Sequence, residues 1–453
     1  MNNLTLRYLG IAGLVILTDF FLFPLSFTFL PGLNTKTVMA ALGIAVLLLN
    51  TSDTKYDFLN KTFISLSIWA IGVSLACLFA VVINGTNDYT YVSYIVSMWV
   101  WLFAAYTLVS AIGNFHKKLS IPLIANYLTA VCVIQGLCVL GLAHSAWFSN
   151  FIHHLNIGMI LTFQVKDRLQ GIGCALDPAG VRFAVTLVIL GYVLINSRQE
   201  KPLVKIIYLA SFMFITVTGN MVARTAIVGT GIAFIYWIYA LFLGEDNIKN
   251  SSRLVWKYLL LCSIVLIPVV IYYYNVDATF KENIRFGFEG FFSLVETGKW
   301  KVHSNEILKN MIVFPDNLQT WLIGDGYIEN PSKGLDPYYV GEKFSGFYKN
   351  TDIGYLRFIF YCGLTGLICF SGFFIYATQC CMKKFPRDKM LFFLMLMLNF
   401  CIWLKVSTDI FQFFALFLAA PISRFSQEDS EDTADSKADT EIDLNSQHAK
   451  QIV

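Results

Sequence analysis

Four arginines lie at or near the ends of apolar segments, where a charged side chain is costly. Arg168 and Arg182 stand in RLQGIGCALDPAGVRF, Arg224 in TGNMVARTAIVG and Arg357 in NTDIGYLRFIFYCGLTG. Ionisable residues at membrane depth are rare and usually functional, and the planar guanidinium of arginine binds phosphate in a bidentate manner without losing its charge. The pattern therefore indicates a cationic cluster for a phosphate-bearing ligand. The alternative is that each arginine separately reaches toward lipid headgroups.

Two residues are candidates to accept a proton beside these arginines. Asp352 precedes Arg357 by five residues, and His303, in KWKVHSNEIL, is the one histidine between 275 and 351. A histidine side chain titrates near neutral pH, which suits a general base, although a single loop histidine is more often a surface residue. Asp352, together with Thr351, equally fits the N-cap of a following helix. Both residues are kept as candidate bases.

The elements that must position these residues are apolar helices. Hydrophobic residues make up 56% of the chain and charged residues 14%, against roughly 25% charged in soluble proteins. No apolar segment shows the alternation of a barrel strand. Twelve such segments cover residues 8–30, 36–50, 62–83, 91–112, 119–143, 179–197, 203–218, 222–243, 256–274, 352–378, 389–404 and 409–422. We therefore predict an all-α, polytopic integral membrane protein with about twelve transmembrane helices.

The distribution of Lys and Arg between the loops predicts the orientation of these helices. With the N-terminus in the cytoplasm, the inside loops hold most of the basic residues, as the positive-inside rule requires. Both termini are then cytoplasmic, and the long loops 144–178 and 275–351 lie outside. The second loop is rich in aromatic residues and is predicted to be folded, with a short amphipathic helix over 300–313. The membrane domain covers 1–425, and the acidic tail 426–453 is predicted to be disordered.

Several classes of function are disfavoured by what the sequence lacks. It has no Walker A, HEXXH or GxSxG motif, and no DxD pair in a loop that would hold a metal–nucleotide complex. Its ten cysteines show no zinc-type spacing, and the net charge of +3 is too small to indicate a nucleic-acid partner. We therefore predict no metal, no cofactor and no nucleic acid.

Several stretches of the chain resemble the O-antigen ligase/polymerase superfamily. They are RLQGIGCALDPAGVRF, MVARTAIVG, GKWKVHSNEIL, FPDNLQTWLIGDGYIENP and NTDIGYLRFIFYCGLTGLICF, and they cover much of residues 160–375. Where the ligase branch has a histidine before the following span, this chain has Asp352, as the polymerases of O-antigen and capsule repeat units do. Ala223 stands where the superfamily has a serine before the arginine that corresponds to Arg224.

This resemblance implies a membrane-embedded glycosyltransferase whose donor and acceptor are glycans on undecaprenyl diphosphate, acting at the outer face of the cytoplasmic (inner) membrane. Chemistry would be metal-independent, with cations at the departing diphosphate and a base at the acceptor hydroxyl. A chain-length regulator and a flippase of the same pathway are candidate partners, beside membrane lipid. By the resemblance, the diphosphate-binding residues are Arg168, Arg182, Arg224 and Arg285, and the catalytic residues are Asp352 or His303 as base with Arg357 orienting it.

Two alternatives stay open beside a polymerase. A ligase of the same superfamily would transfer the finished glycan to a different acceptor. A flippase would instead move lipid-linked oligosaccharides across the membrane. The large outer loop and the lack of matching Gly- or Pro-broken segments in the two halves of the chain count against a flippase.

Overall fold

The computed structural model describes residues 3–26, 33–49, 61–154, 169–197, 201–330 and 346–421. Arg168 and the acidic tail 426–453 lie outside the described residues, so the sequence-based expectations for them stay predictions. Parts of both predicted outer loops also lie outside.

Within those ranges the chain forms seventeen α-helices, one 3₁₀ turn and no β-strand. The helices are α1 (Asn3–Leu22), α2 (Thr35–Leu49), α3 (Lys61–Asn84), α4 (Tyr94–His116), α5 (Ile121–His144), α6 (Ala146–His154), α7 (Leu176–Asn196), α8 (Pro202–Val222), α9 (Ala226–Leu243), α10 (Asp246–Val276), α11 (Ala278–Gly287), α12 (Glu289–Thr297), α13 (His303–Asn310), α14 (Leu318–Leu322), α15 (Gly354–Lys384), α16 (Lys389–Ile402) and α17 (Phe411–Ala419). The 3₁₀ turn is Tyr348–Asn350.

Nine of the helices in the described ranges are long and apolar enough to cross a membrane, with 18 to 31 residues each. They are α1, α3, α4, α5, α7, α8, α9, α10 and α15. Helices α2 and α16 are apolar but shorter, and α17 has nine residues. Each of the twelve predicted segments overlaps one of these helices, which confirms the prediction of an all-α, polytopic membrane protein.

The first helix ends earlier than the predicted segment 8–30, because of Pro24. Helix α1 stops at Leu22, since Pro24 has no N–H to donate to the carbonyl of Phe20. The hydroxyl of Thr35 donates to that carbonyl instead, over 3.0 Å. This bond turns the chain back and places the start of α2 against the end of α1.

Helix α7 forms the centre of the bundle, and α10 lies at its edge. In the apolar window of α7, 89% of the residues are buried, against 6% in α10. Helices α5, α8, α9 and α16 pack around α7, while α2, α4 and α17 form a neighbouring group and α3 packs on α15. A charged side chain on α7 is therefore held among other helices rather than facing lipid.

The described part of the 275–351 segment, which is predicted to be an outer loop, is folded as predicted and forms α11 to α14. The predicted amphipathic helix over 300–313 is shorter than expected and covers His303–Asn310. Val302 has extended backbone angles and Met311 leaves the helical region at ψ 0°, so neither end continues the helix.

Helix α15 is broken at Gly363, whose backbone angles are φ 65° and ψ −173°. The break lies nine residues from the helix start, about 14 Å along its axis. Two carbonyls that the break leaves without helical partners accept hydrogen bonds from another loop: Asp325 N–H donates to Phe360 O, and Gly326 N–H donates to Tyr361 O over 3.1 Å. Backbone that is not helical is tolerated at membrane depth only where protein satisfies it, and here the 324–326 loop does so.

The short loop between α3 and α4 ties the 324–328 segment in place. Asn84 Nδ2 donates to Gly324 O over 2.9 Å, and Thr86 Oγ1 donates to Gly326 O over 2.9 Å. The N–H of Ile328 donates to a carboxylate oxygen of Asp88 over 2.9 Å. The first half of α15 is thus held by two separate loops, and this fixes the residues at its start.

Candidate functional site

Asp352 and Arg357 form an ion pair at the start of α15. Arg357 Nη1 lies 3.3 Å from Asp352 Oδ1, and the two side chains are only 12% and 19% exposed. The guanidinium also donates to Ile328 O over 3.4 Å, and its central carbon lies 4.5 Å from the ring centroid of Phe347. The spacing of five residues in the sequence therefore corresponds to a real contact.

Asp352 does not cap α15. The N-cap position belongs to Ile353, and no side chain caps the helix there. The pKa of Asp352 is raised to about 6, mainly by burial and also by the nearby charge of Asp177, while Arg357 and Lys405 oppose the shift. A carboxyl group with this pKa exchanges protons near neutral pH, as a general base requires.

A second ion pair lies beside the first and joins three other parts of the chain. Lys405, between α16 and α17, has its Nζ 3.7 Å from Asp177 Oδ1 at the start of α7. The hydroxyl of Thr225, directly before α9, donates to the same carboxylate oxygen over 3.4 Å. The electrostatic effect of Asp177 and Lys405 on Asp352 places both pairs in one polar region at one end of the bundle.

Arg224 precedes Thr225 and is held by α11, α12 and α13 of the 275–351 segment. Its Nη2 lies 2.6 Å from Glu289 Oε2, its Nη1 donates to Ser304 Oγ over 2.9 Å, and its Nε donates to Phe286 O over 3.0 Å. The side chain is 15% exposed. Arg224 thus links the start of α9 to α11, α12 and α13.

His303 and Arg285 directly precede Ser304 and Phe286, two residues that hold Arg224, but are more exposed. His303 is exposed at the first position of α13, next to Ser304. Arg285 makes a bidentate ion pair with Glu296, with distances of 2.8 and 2.9 Å, and is 41% exposed. The nitrogen atoms of Arg285 therefore face Glu296, the hydroxyl of Tyr274 at 3.1 Å and solvent.

Arg182 lies on the opposite side of α7 from Arg224. Gly180 faces the start of α9, since a Cβ added there would lie 2.7 Å from the Cβ of Ala223. Arg182 is two residues further, which is about 200° around the helix. Its guanidinium carbon lies 5.5 Å from the ring centroid of Phe23 in the segment after α1. The cations predicted from the sequence are therefore distributed on both sides of the central helix.

Sequence reasoning missed three residues of this region: Asp177, Lys405 and Lys36. Lys36 lies in the first turn of α2, and its Nζ is 4.4 Å from the ring centroid of Trp101. A signal for the two lysines was present, because both lie at the predicted outer ends of apolar segments, where the positive-inside rule disfavours basic residues. Asp177 carried no such signal, since its partners come from distant parts of the chain.

Comparison with family models, with curated proteins and with solved structures finds no match to this chain.

Proposed function

We propose that this polytopic membrane protein is a glycosyltransferase that polymerises oligosaccharide repeat units carried on undecaprenyl diphosphate. The observation that carries the proposal is the buried Asp352–Arg357 pair, in which a carboxyl group with a pKa of about 6 lies beside a guanidinium. The likeness of the motifs to the O-antigen ligase/polymerase superfamily supports the same function, and Asp352 at the histidine position favours the polymerase branch.

The proposed reaction is an in-line displacement at the anomeric carbon of the donor glycan. The oxygen of the acceptor hydroxyl forms the new glycosidic bond, and the bond from the anomeric carbon to the diphosphate oxygen breaks. The hydroxyl proton passes to the carboxylate of Asp352, and undecaprenyl diphosphate leaves with the bonding electrons. The reaction needs a base at the hydroxyl and fixed positive charge at the departing diphosphate.

The residues of the site can be assigned to these two tasks. Asp352 is the proposed base, with Arg357 orienting its carboxylate and His303 as the second candidate base. Arg224 is the proposed diphosphate ligand nearest the outer-loop helices, where binding would exchange the Glu289 carboxylate for a phosphate oxygen. Arg168 and Arg285 are the other proposed ligands of the departing diphosphate, whereas Arg182, which the motif resemblance also names, lies on the opposite side of α7 from Arg224 and is not assigned to this task. A guanidinium gives fixed, bidentate positive charge without a metal ion.

The proposed setting is the outer face of a bacterial cytoplasmic membrane, with both termini in the cytoplasm. The bias of Lys and Arg toward the other face supports this orientation. The proposed partners are the lipid-linked glycans, a flippase that delivers them and a chain-length regulator.

Deletion of the gene followed by sizing of the surface glycans tests the function. Loss of a polymerase should leave single repeat units on the final acceptor at the cell surface. Loss of a ligase should leave long chains on the carrier lipid, and that result would overturn the proposal. Restoration of long chains by the wild-type gene, and not by Asp352→Asn, would tie the function to the site.

A transporter of lipid-linked oligosaccharides is a second candidate, favoured by the break in α15. Transporters commonly use discontinuous helices at their binding sites. The carbonyls at this break are occupied by the N–H groups of Asp325 and Gly326, which suits a fixed structural element better than an ion site. Loss of a flippase would hold single repeat units at the cytoplasmic leaflet, so the same deletion experiment separates the two functions.

A further inference from the structure

Lys36 and Arg182 form a second pair of cations, on the face of α7 that points away from Arg224. Each lies over an aromatic ring: Lys36 over Trp101 at 4.4 Å and Arg182 over Phe23 at 5.5 Å. Phe21 packs edge-on against Trp101 at 5.4 Å, so the end of α1 connects the two rings. The two positive charges are close enough to repel one another.

Neither cation has a carboxylate at ion-pair distance among the described residues. Asp409 is the acidic residue that acts on Lys36 from nearby, and its Oδ1 already accepts a hydrogen bond from the N–H of Phe411 over 2.9 Å. The Lys36 and Arg182 residues are both partly exposed, so an anion can approach them. Two like charges that share a partly buried place, with no carboxylate of the described residues at ion-pair distance, favour the binding of an anion.

We infer that Lys36 and Arg182 bind the phosphate groups of a second lipid-linked glycan, the acceptor, while Arg224 and the Asp352 region serve the donor. This inference rests on the proposed polymerase function, which requires two anionic lipids at once. The diphosphate of the acceptor is separated from its reacting hydroxyl by the whole repeat unit. It therefore needs a binding site away from the reaction centre, and the far side of α7 supplies one about a helix diameter, roughly 10 Å, from the Arg224 side.

The two aromatic rings fit such a site. The faces of Trp101 and Phe23 stabilise the cations by cation–π contact, which keeps the side chains in place when no anion is bound. Lys36 also lies in the first turn of α2, where the helix dipole favours an anion. The site would thus bind a phosphate group by charge without assisting its departure.

Binding stoichiometry tests the inference without reference to activity. The full-length protein in phosphatidylcholine nanodiscs would be titrated with undecaprenyl diphosphate. We expect two equivalents per chain for wild type and one for the double variant Lys36→Gln/Arg182→Gln. Lys299→Gln, which removes an exposed outer-loop charge, is the matched control and should still bind two. A wild type that binds one equivalent, or a double variant that binds two, would overturn the inference.

Charge-preserving variants and a competing lipid complete the test. Lys36→Arg/Arg182→Lys should restore the second equivalent; failure to do so would overturn a charge-based site and point to a role in packing. A second equivalent of undecaprenyl diphosphate should still bind when the nanodisc contains the anionic lipid phosphatidylglycerol. If phosphatidylglycerol abolishes binding of this second equivalent, the site accepts anionic lipid headgroups in general, and the inference is overturned.

Kinetics separates this inference from the proposed function. In a polymerisation assay the double variant should show a KM for the acceptor raised roughly tenfold or more with kcat little changed, because binding alone is lost. If the wild-type protein binds two equivalents of undecaprenyl diphosphate but joins no repeat units, the proposed function is wrong and the second binding site is supported. If repeat units are joined and the double variant has an unchanged KM for the acceptor, the proposed function is supported and the inferred acceptor site is wrong.

Discussion

Gly324 and Gly363 lie backbone against backbone where the loop after α14 enters the break in α15. A Cβ on Gly324 would lie 2.6 Å from the backbone of Tyr361 and Cys362, and a Cβ on Gly363 would collide with the backbone of Leu322. Both glycines have positive φ angles, 88° and 65°. This contact holds the first half of α15, and therefore the Asp352–Arg357 pair at its start, against the loop that carries Ile328.

Gly363→Ala should destabilise the protein and reduce its activity. Alanine at φ 65° and ψ −173° is strained by about 1–3 kcal/mol, and the added methyl group must also displace the 322–323 backbone. We expect the apparent unfolding temperature in detergent, measured by intrinsic fluorescence, to fall by several degrees.

Gly72→Ala is the matched control for Gly363→Ala. Gly72 lies within α3, and a Cβ there meets nothing within 4 Å. Alanine is favoured over glycine in a helix interior by about 1 kcal/mol, so this variant should be as stable as wild type or more stable. Equal unfolding temperatures for the two variants would show that the break in α15 does not depend on glycine.

The positions of the helices could be predicted from the sequence because a membrane span needs a long apolar run. All twelve apolar segments overlap a helix, and even the correction at the end of α1 follows from one residue, Pro24. The break in α15 was not predicted, since Gly363 and Gly366 alone fit an intact helix as well. Only the contact with the backbone of Leu322, 41 positions earlier in the numbering of the chain, shows why a glycine is needed there.

The candidate site could be predicted only in part, because some of its contacts join residues that are far apart in the sequence. Asp352 and Arg357 are close in the sequence, so their ion pair could be expected from the local sequence alone. Asp177 and Lys405 pair across more than half of the chain, and Lys36 and Arg182 come near each other through the packing of the helices and the segment after α1. Contacts of that kind depend on how the helices pack, which hydropathy does not specify.

The orientation in the membrane can be checked with introduced cysteines. Val295→Cys lies on the exposed surface of α12, where Val295 is 86% exposed, and Lys118→Cys lies on the predicted cytoplasmic side. An impermeant thiol reagent should label the first in intact cells and the second only after lysis. The reverse pattern would place the proposed site in the cytoplasm.

The unmodified protein is the necessary control for this labelling. It contains ten cysteines, and all of them are free. Each introduced cysteine should therefore also be examined in a background from which reactive native cysteines have been removed.

Arg224→Ala should abolish polymer formation while protein remains in the membrane, and Arg224→Lys should restore it incompletely. Lysine keeps the charge but cannot reproduce the three separate contacts to Glu289, Ser304 and Phe286 O or bind phosphate in a bidentate manner. Glycan length on gels, normalised to protein in the membrane, is the measurement.

Arg253→Ala is the control for Arg224→Ala, since Arg253 is an exposed arginine of α10 on the predicted cytoplasmic side, and it should make normal polymer. Arg168→Ala, suggested by the motif resemblance, belongs in the same series. Normal glycans from both Arg224→Ala and Arg168→Ala would leave these arginines with no more than a role at the lipid surface.

Asp352→Asn should lower the rate of polymerisation by about 10²–10⁴-fold, the usual contribution of a general base, because asparagine cannot accept a proton. In wild type, kcat/KM should fall as the pH is lowered through about 6, where the Asp352 carboxylate becomes protonated. The measurement is the initial rate with a lipid-linked donor and acceptor between pH 5 and pH 8.

The stability of the same variant distinguishes a base from a structural carboxylate. The pKa of Asp352 is raised from 3.8 to about 6 in the fold, so its contribution to stability is full below about 3.8 and is lost as the pH rises through about 6. Asparagine resembles the neutral acid, and Asp352→Asn should therefore unfold at the same temperature as wild type or higher at pH 7.5. If the Asp352→Asn enzyme is active, His303 becomes the candidate base, and the activity of His303→Gln would then test that assignment. An inactive variant that unfolds well below wild type would instead assign Asp352 to holding Arg357 in place.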